Sequence, residues 1–106
     1  MNLTDQLPEI TQRIVQTSHP EKIILFGSYA RGNFGADSDL DLLIIVPDVQ
    51  HLRQESLRVR RALRGLLVPV DIVMATPEQI RRLGHTPGLV YQAALSEGRV
   101  LYEHTR

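Results

Sequence analysis

The sequence predicts an α/β chain of the α+β kind, with about four strands flanked by helices. Three observations predict it. Short apolar runs rich in β-branched residues recur at residues 22–26, 40–46, 68–74 and 100–102. Segments with apolar residues at helical spacing lie between them. Glycines, prolines and capping residues punctuate the joints.

Each element has a local reason. Leu3, Leu7, Ile10 and Ile14 fall on one helical face and predict a first helix ending near His19-Pro20, with Pro8 in its first turn. Residues 22–26 predict a buried strand that Gly27 ends. Ser28 then stands where a short helix begins and is expected to cap its free N–H groups. Residues 32–38 connect to a nearly continuous apolar strand, Leu40 to Val46, suited to a central position. Pro47-Asp48 opens a second long helix, with Asp48 as N-cap and Gly65 as its end. Pro69 starts the strand that carries Asp71, where its missing N–H does least harm. Thr76-Pro77-Glu78-Gln79 combines a cap, a proline at the first helical position and a reciprocal glutamine. Thr86-Pro87 starts a last helix that carries Leu89, Val90, Ala93 and Ala94 inward and stops at Gly98. Val100-Leu101-Tyr102 closes the chain as a short strand.

Composition narrows the function. The chain has 106 residues, enough for one core and not for two. No apolar run approaches the roughly 20 residues of a membrane span. The N-terminus has no signal-peptide pattern, and there are no cysteines for disulfides or thiolate metal sites. A cytoplasmic location is therefore expected. The formal net charge is zero and aromatics make up 5% of residues, so neither charge nor stacking favours direct nucleic-acid binding.

One segment carries chemistry. Gly27-Ser28 is followed, ten residues later, by Asp39-Leu40-Asp41. A glycine turn opening a helix offers backbone N–H donors to an anion, and a ligand can approach without a Cβ in the way. The Ser28 hydroxyl adds a donor, and Arg31, three residues on, adds charge on the same helical face. No Gly-Lys-Ser/Thr follows, so this is not a nucleotide P-loop. Asp39 and Asp41 alternate with Leu40 and so point to one side of their strand. Two neighbouring carboxylates repel, and a hard cation such as Mg²⁺ removes that penalty. Asp71, alone in an apolar strand between Val70 and Ile72, would supply a third carboxylate. Either half alone also reads as a capped turn or a solvated strand end; together they favour a phosphate-and-metal site.

The Gly-Ser, Asp-x-Asp and third-Asp set resembles the polymerase-beta-like nucleotidyltransferases, and specifically their minimal nucleotidyltransferase branch. The resemblance covers nearly the whole chain, including Ala94 to Glu103 at its end. It implies a nucleotidyltransferase fold with a mixed β-sheet over residues 1–106, as one domain. It implies in-line transfer of a nucleotide with pyrophosphate leaving. Asp39, Asp41 and Asp71 would be catalytic and would hold Mg²⁺ or Mn²⁺. Gly27, Ser28 and Arg31 would hold the phosphates of ATP. The branch commonly forms the antitoxin of a toxin–antitoxin pair, and some members transfer AMP from ATP to a tyrosine of a small all-helical HEPN-type ribonuclease toxin. The resemblance therefore implies a hetero-oligomer with such a toxin. Contact-only neutralisation with a vestigial site, or transfer to an aminoglycoside-like small molecule or an RNA end, are the alternatives.

The remaining polar residues carry less. Arg53, Arg58, Arg60, Arg61 and Arg64 stand against the single acid Glu55. They read as a solvated basic face, an acidic-partner surface or a phosphate surface. His19, His51, His85 and His104 lack metal-ligand spacing. Tyr29 reads as core or as a neighbour of the nucleotide, and Tyr91 and Tyr102 as core or interface.

Overall fold

The computed structural model describes residues 3–35, 37–47 and 50–104. A 3-10 turn, Leu3–Gln6, leads into α1, Leu7–Ser18, with Pro8 in its first turn. Next come β1, Lys22–Phe26; α2, Ser28–Arg31; β2, Leu40–Ile45; and α3, Leu52–Ala62. The chain ends with β3, Val70–Ala75; α4, Pro77–Leu83; α5, Val90–Glu97; and β4, Arg99–Glu103.

The four strands form one mixed sheet in the order β3-β2-β1-β4. β2 and β3 are parallel, joined through α3, and the other two pairings are antiparallel. The apolar run of β2 thus occupies an interior position, as its composition predicts.

Strand alternation divides the core in two. Leu40, Leu42 and Ile44 meet Ile10 and Ile14 of α1 and Val59 of α3 on one face. Ile24, Phe26, Leu43 and Ile45 meet Ala94 of α5 on the other, with Ile80 and Tyr91 packed against them. The α1/α3 face is sealed: nine of its side chains are fully covered, namely Ile10, Ile14, Ile23, Leu25, Leu40, Leu42, Ile44, Val46 and Val59. At about 25 cal/mol per Å² of apolar surface, such a cluster dominates the stabilisation of the fold. Arg13 adds a clamp: its guanidinium donates to the carbonyls of Ala62 and Arg64, each at 3.2 Å, and so closes the C-terminal end of α3 onto α1.

Three boundaries differ from the sequence reading. α3 begins at Leu52 rather than at Pro47-Asp48, and its N-cap His51 makes no side-chain cap bond. Asp48, expected as the cap, lies outside the described residues. α3 ends at Ala62, and Gly65, at φ +95°, lies in the turn beyond it. α5 begins at Val90, not at Thr86-Pro87. Gly88, at φ +87°, adopts a left-handed conformation through which a right-handed helix cannot run. This re-phases the helix: Tyr91 and Ala94 pack on the sheet, while Leu89 and Val90 are exposed.

Candidate active site

The site forms where β1 ends and where β2 and β3 begin. Gly27 has φ 74° and ψ −155°, a conformation that L side chains rarely adopt. A Cβ on Gly27 would run into the Asp41 carboxylate. Glycine is therefore required twice, once by its dihedral and once by the close approach of Asp41.

Gly27 itself holds the N-cap position of α2, and its carbonyl accepts from the N–H of Ala30 at 3.1 Å and of Arg31 at 3.0 Å. Ser28 is thereby pushed into the first helical turn. Its hydroxyl makes no cap bond, which corrects the expectation that it caps the helix. Ser28 Oγ and the N–H groups of Ser28 and Tyr29 have no protein partner among the described residues. These donors gather beside Asp41.

The three aspartates come from adjacent backbone. Asp41 pairs in register with Phe26 on one side and Asp71 on the other. Directly opposed residues on neighbouring strands share a face, so Asp41 and Asp71 look the same way. Asp39 precedes β2 by one residue, in a turn fixed by Ser38, whose hydroxyl accepts from the Gly35 N–H at 2.8 Å. Asp39 and Asp41 are part-buried and Asp71 is exposed.

The electrostatics follow from that crowding. Partial burial raises the pKa of Asp41 above its ordinary value, the negative charges of Asp71 and Asp39 raise it further, and Arg31 works in the opposite direction. The carboxylates interact without converging: among the described residues no three His, Cys, Asp or Glu side chains close on one cation position. Mutual repulsion keeps like charges apart. Three oxygen-donor side chains with no lysine among them suit a hard cation such as Mg²⁺ or Mn²⁺.

Arg31 stands at the edge of this group, held by Glu97 of α5 at 3.3 Å. Both side chains are exposed, so the pair is a weak one that an incoming anion can replace. Tyr29 is a core residue, 8% exposed, and its ring stacks on Phe34 with centroids 4.2 Å apart. The sequence reading missed both Phe34 and Glu97. Phe34, the only aromatic in the polar 32–38 loop, was a usable signal. Glu97 lies 66 residues from Arg31, and no local pattern connects them.

Comparison with known proteins identifies the family. The family model described as a nucleotidyltransferase domain matches residues 5–101. Two Methanocaldococcus jannaschii proteins, each named "putative protein adenylyltransferase", are related in sequence. One is 41% identical over 44 residues, 42% of this chain and 44% of that protein, so the match spans less than half of its length. The other is 38% identical over 82 residues, 77% of this chain and 78% of that protein. Among solved structures, a "putative nucleotidyltransferase" from Sulfolobus solfataricus superimposes with a TM-score of 0.67 at 19% identity, covering 96% of this chain and 84% of that one. A toxin–antitoxin structure with AMP-PNP gives 0.64 at 20% identity, covering 92% and 73%. A mutant of the MntA-HpeT toxin–antitoxin gives 0.62 at 18%, covering 99% and 76%. At these identities the structural likeness is one of fold.

Proposed function

The chain belongs to the nucleotidyltransferase domain family, and from that premise we propose that it transfers AMP from ATP to a hydroxyl of a partner protein. The observation that carries the reading is the register of Asp41 on Asp71, with Gly27 closed against Asp41. It combines a phosphate cradle and paired carboxylates within one strand width.

Each residue then has a task. Gly27 turns the backbone so that the N–H groups that follow it, together with the Ser28 hydroxyl, donate to the phosphate oxygens. Arg31 exchanges Glu97 for a phosphate. Asp39, Asp41 and Asp71 hold the divalent cation, which when bound supplies positive charge to the attacking and leaving oxygens. The acceptor oxygen forms a bond to the α-phosphorus. The bond from that phosphorus to the bridging oxygen breaks, and its electron pair leaves on pyrophosphate. Asp71, the exposed member, takes the hydroxyl proton.

The acceptor is proposed to be a tyrosine of a HEPN-type toxin, in a cytoplasmic toxin–antitoxin pair. Relatives named as protein adenylyltransferases and toxin–antitoxin fold neighbours support this. Residues 1–106 act in this reading as a single nucleotidyltransferase domain. Among the described residues no helix is long and apolar enough to cross a membrane.

The test uses the protein encoded beside this one. The purified pair is incubated with ATP and Mg²⁺, and intact masses are taken. The expected result is a gain of one or more AMP units on the partner, abolished by Asp41→Asn. A stable complex with unchanged masses replaces the reading with neutralisation by contact.

A further inference from the structure

β3 is an edge strand, and its outer side is open. Pro69 and Ala75 turn their carbonyls toward β2, where they accept from the N–H of Leu40 at 3.0 Å and of Val46 at 2.9 Å. Backbone polar groups alternate sides along a strand, so Asp71 and Val73 also face β2. Val70, Ile72 and Met74 turn their N–H and C=O groups outward, where no strand among the described residues pairs with them. Side chains alternate in the other direction. Asp71 points to the site face, whereas Val70 and Ile72 point to the α1/α3 face.

The α1/α3 side next to this edge is apolar with a basic border. A cavity of about 220 Å³ is walled by Leu63, Leu66, Val68, Val70 and Ile72, together with the exposed Arg60. Leu67, in the loop that leads into β3, is 97% exposed. Arg60, Arg61 and Arg64 have no ion-pair partner among the described residues.

We infer that the outer edge of β3 docks an extended segment of the acceptor protein, pairing with Val70, Ile72 and Met74. This rests on the reading of Asp71 as the residue beside the acceptor hydroxyl. A docked residue directly opposite Asp71 has its Cβ about 5 Å away on the same face, so this residue carries the hydroxyl. The residues on either side of it point to the α1/α3 face and are apolar, to meet the cavity and Leu67. Acidic residues two places further out, on the same α1/α3 face, complement the free arginines. Backbone pairing supplies affinity and the alternating side chains supply selectivity. A polypeptide fits better than RNA, because the edge offers strand hydrogen bonds and an apolar cavity but no aromatic stacking platform.

The occupant is thus defined by its pattern: acidic, neutral, apolar, hydroxyl, apolar, neutral, acidic, with the acids three residues from the hydroxyl and so on the α1/α3 face. The probe is the capped peptide Glu-Ser-Val-Tyr-Val-Ser-Glu, added to the isotope-labelled full chain without nucleotide. The expected result is a shift of the Val70, Ile72 and Met74 amide signals. N-methylation of the peptide on the backbone edge facing β3 should abolish those shifts. Leu67→Asp, a change at a fully solvated position, should weaken binding by about tenfold or more, the scale of losing a buried leucine. Unchanged amides overturn edge docking, whatever the transfer assay gives. So do shifts that survive N-methylation, or shifts produced by a short RNA and not by the peptide. Amide shifts without AMP transfer to any acceptor would instead overturn the proposed reaction and leave the docking edge standing.

Discussion

β1 enters α2 through Gly27, and β3 enters α4 through Thr76. Both are strand-to-helix turns, yet they treat their polar groups oppositely. At α4 the Gln79 N–H donates to Thr76 Oγ1 at 3.2 Å, the Thr76 N–H donates to Gln79 Oε1 at 2.9 Å, and Pro77 has no N–H to satisfy. At α2 the cap position has no side chain, and the serine that follows makes no cap bond. One turn closes its donors on itself, which stabilises the helix. The other leaves them without a protein partner among the described residues, next to the Gly27–Asp41 contact, as the proposed phosphate site requires. In the proposed function, the turn that forgoes local stability is the one that binds.

The largest effect should come from breaking the carboxylate half of the α2 turn. Asp39→Asn with Asp41→Asn should lower AMP transfer by roughly a thousandfold or more, since a bound cation supplies several kcal/mol to the reaction. Stability should move the other way. The Asp41 pKa is raised in the fold by burial and by the charges of Asp71 and Asp39, so the folded state binds this proton more tightly than the unfolded state. The metal-free fold therefore loses stability as pH rises from the usual aspartate value through the raised one, and the full penalty is present at neutral pH. Asp41→Asn should accordingly raise the metal-free Tm at pH 7 and have no effect at pH well below the usual carboxylate range. Millimolar Mg²⁺ should raise the Tm of the wild type and not that of the double variant. A wild-type Tm that is insensitive to Mg²⁺ would remove the cation from the site.

Gly27→Ala should come next, because it harms both turn and site. The substitution places a Cβ at positive φ and against Asp41, and strain of this kind costs about 1–3 kcal/mol. An unfolding free energy lowered by that amount in a denaturant titration, with nucleotide binding lost, is expected. If the variant kept both, the tight closure of Gly27 on Asp41 would not matter to either fold or function.

How much of this was legible depended on whether the cause was local. The Thr76 capping box is four consecutive residues, each acting on its neighbours, and the sequence reading matched it bond for bond. The strand alternation that sets Asp71 opposite Val70 and Ile72 was legible for the same reason. The register of Asp41 on Asp71 was not, because pairing across a sheet depends on how α3 spans the distance between the strands. The role of Ser28 was misread, since what decides it is the cap position taken by Gly27, whose dihedral suits the approach of Asp41 from a strand that lies further along the chain. α5 was placed too early because Thr86-Pro87 resembles Thr76-Pro77, yet Gly88 follows the first pair and Glu78 the second. A proline after threonine starts a helix only when the next residues can continue it.

Smaller effects sharpen the contrast between the two turns. Ser28→Ala removes a hydroxyl that has no partner among the described residues, so stability should stay within about 0.5 kcal/mol of wild type. Nucleotide binding should weaken by roughly tenfold or more, as a hydrogen bond to a charged group is worth about 1.5–3 kcal/mol. An isothermal titration with a non-hydrolysable ATP analogue measures this. Undiminished affinity would move the phosphates away from α2.

Thr76→Ala is the mirror experiment and the smallest in size. It removes the acceptor for the Gln79 N–H and leaves the Gln79 side chain as half of a box. Loss of such a cap costs about 1 kcal/mol, because a helix N–H reverts to water and the first turn frays. The site lies at the other end of β3, since Asp71 is near its start and Thr76 follows its last residue. AMP transfer, measured well below the Tm, should be unchanged. The two turns would then separate cleanly, with Ser28→Ala costing affinity at constant stability and Thr76→Ala costing stability at constant activity. If Thr76→Ala also slowed transfer, the cap would be setting the position of Asp71 through the length of β3, and the two turns would be coupled parts of one device.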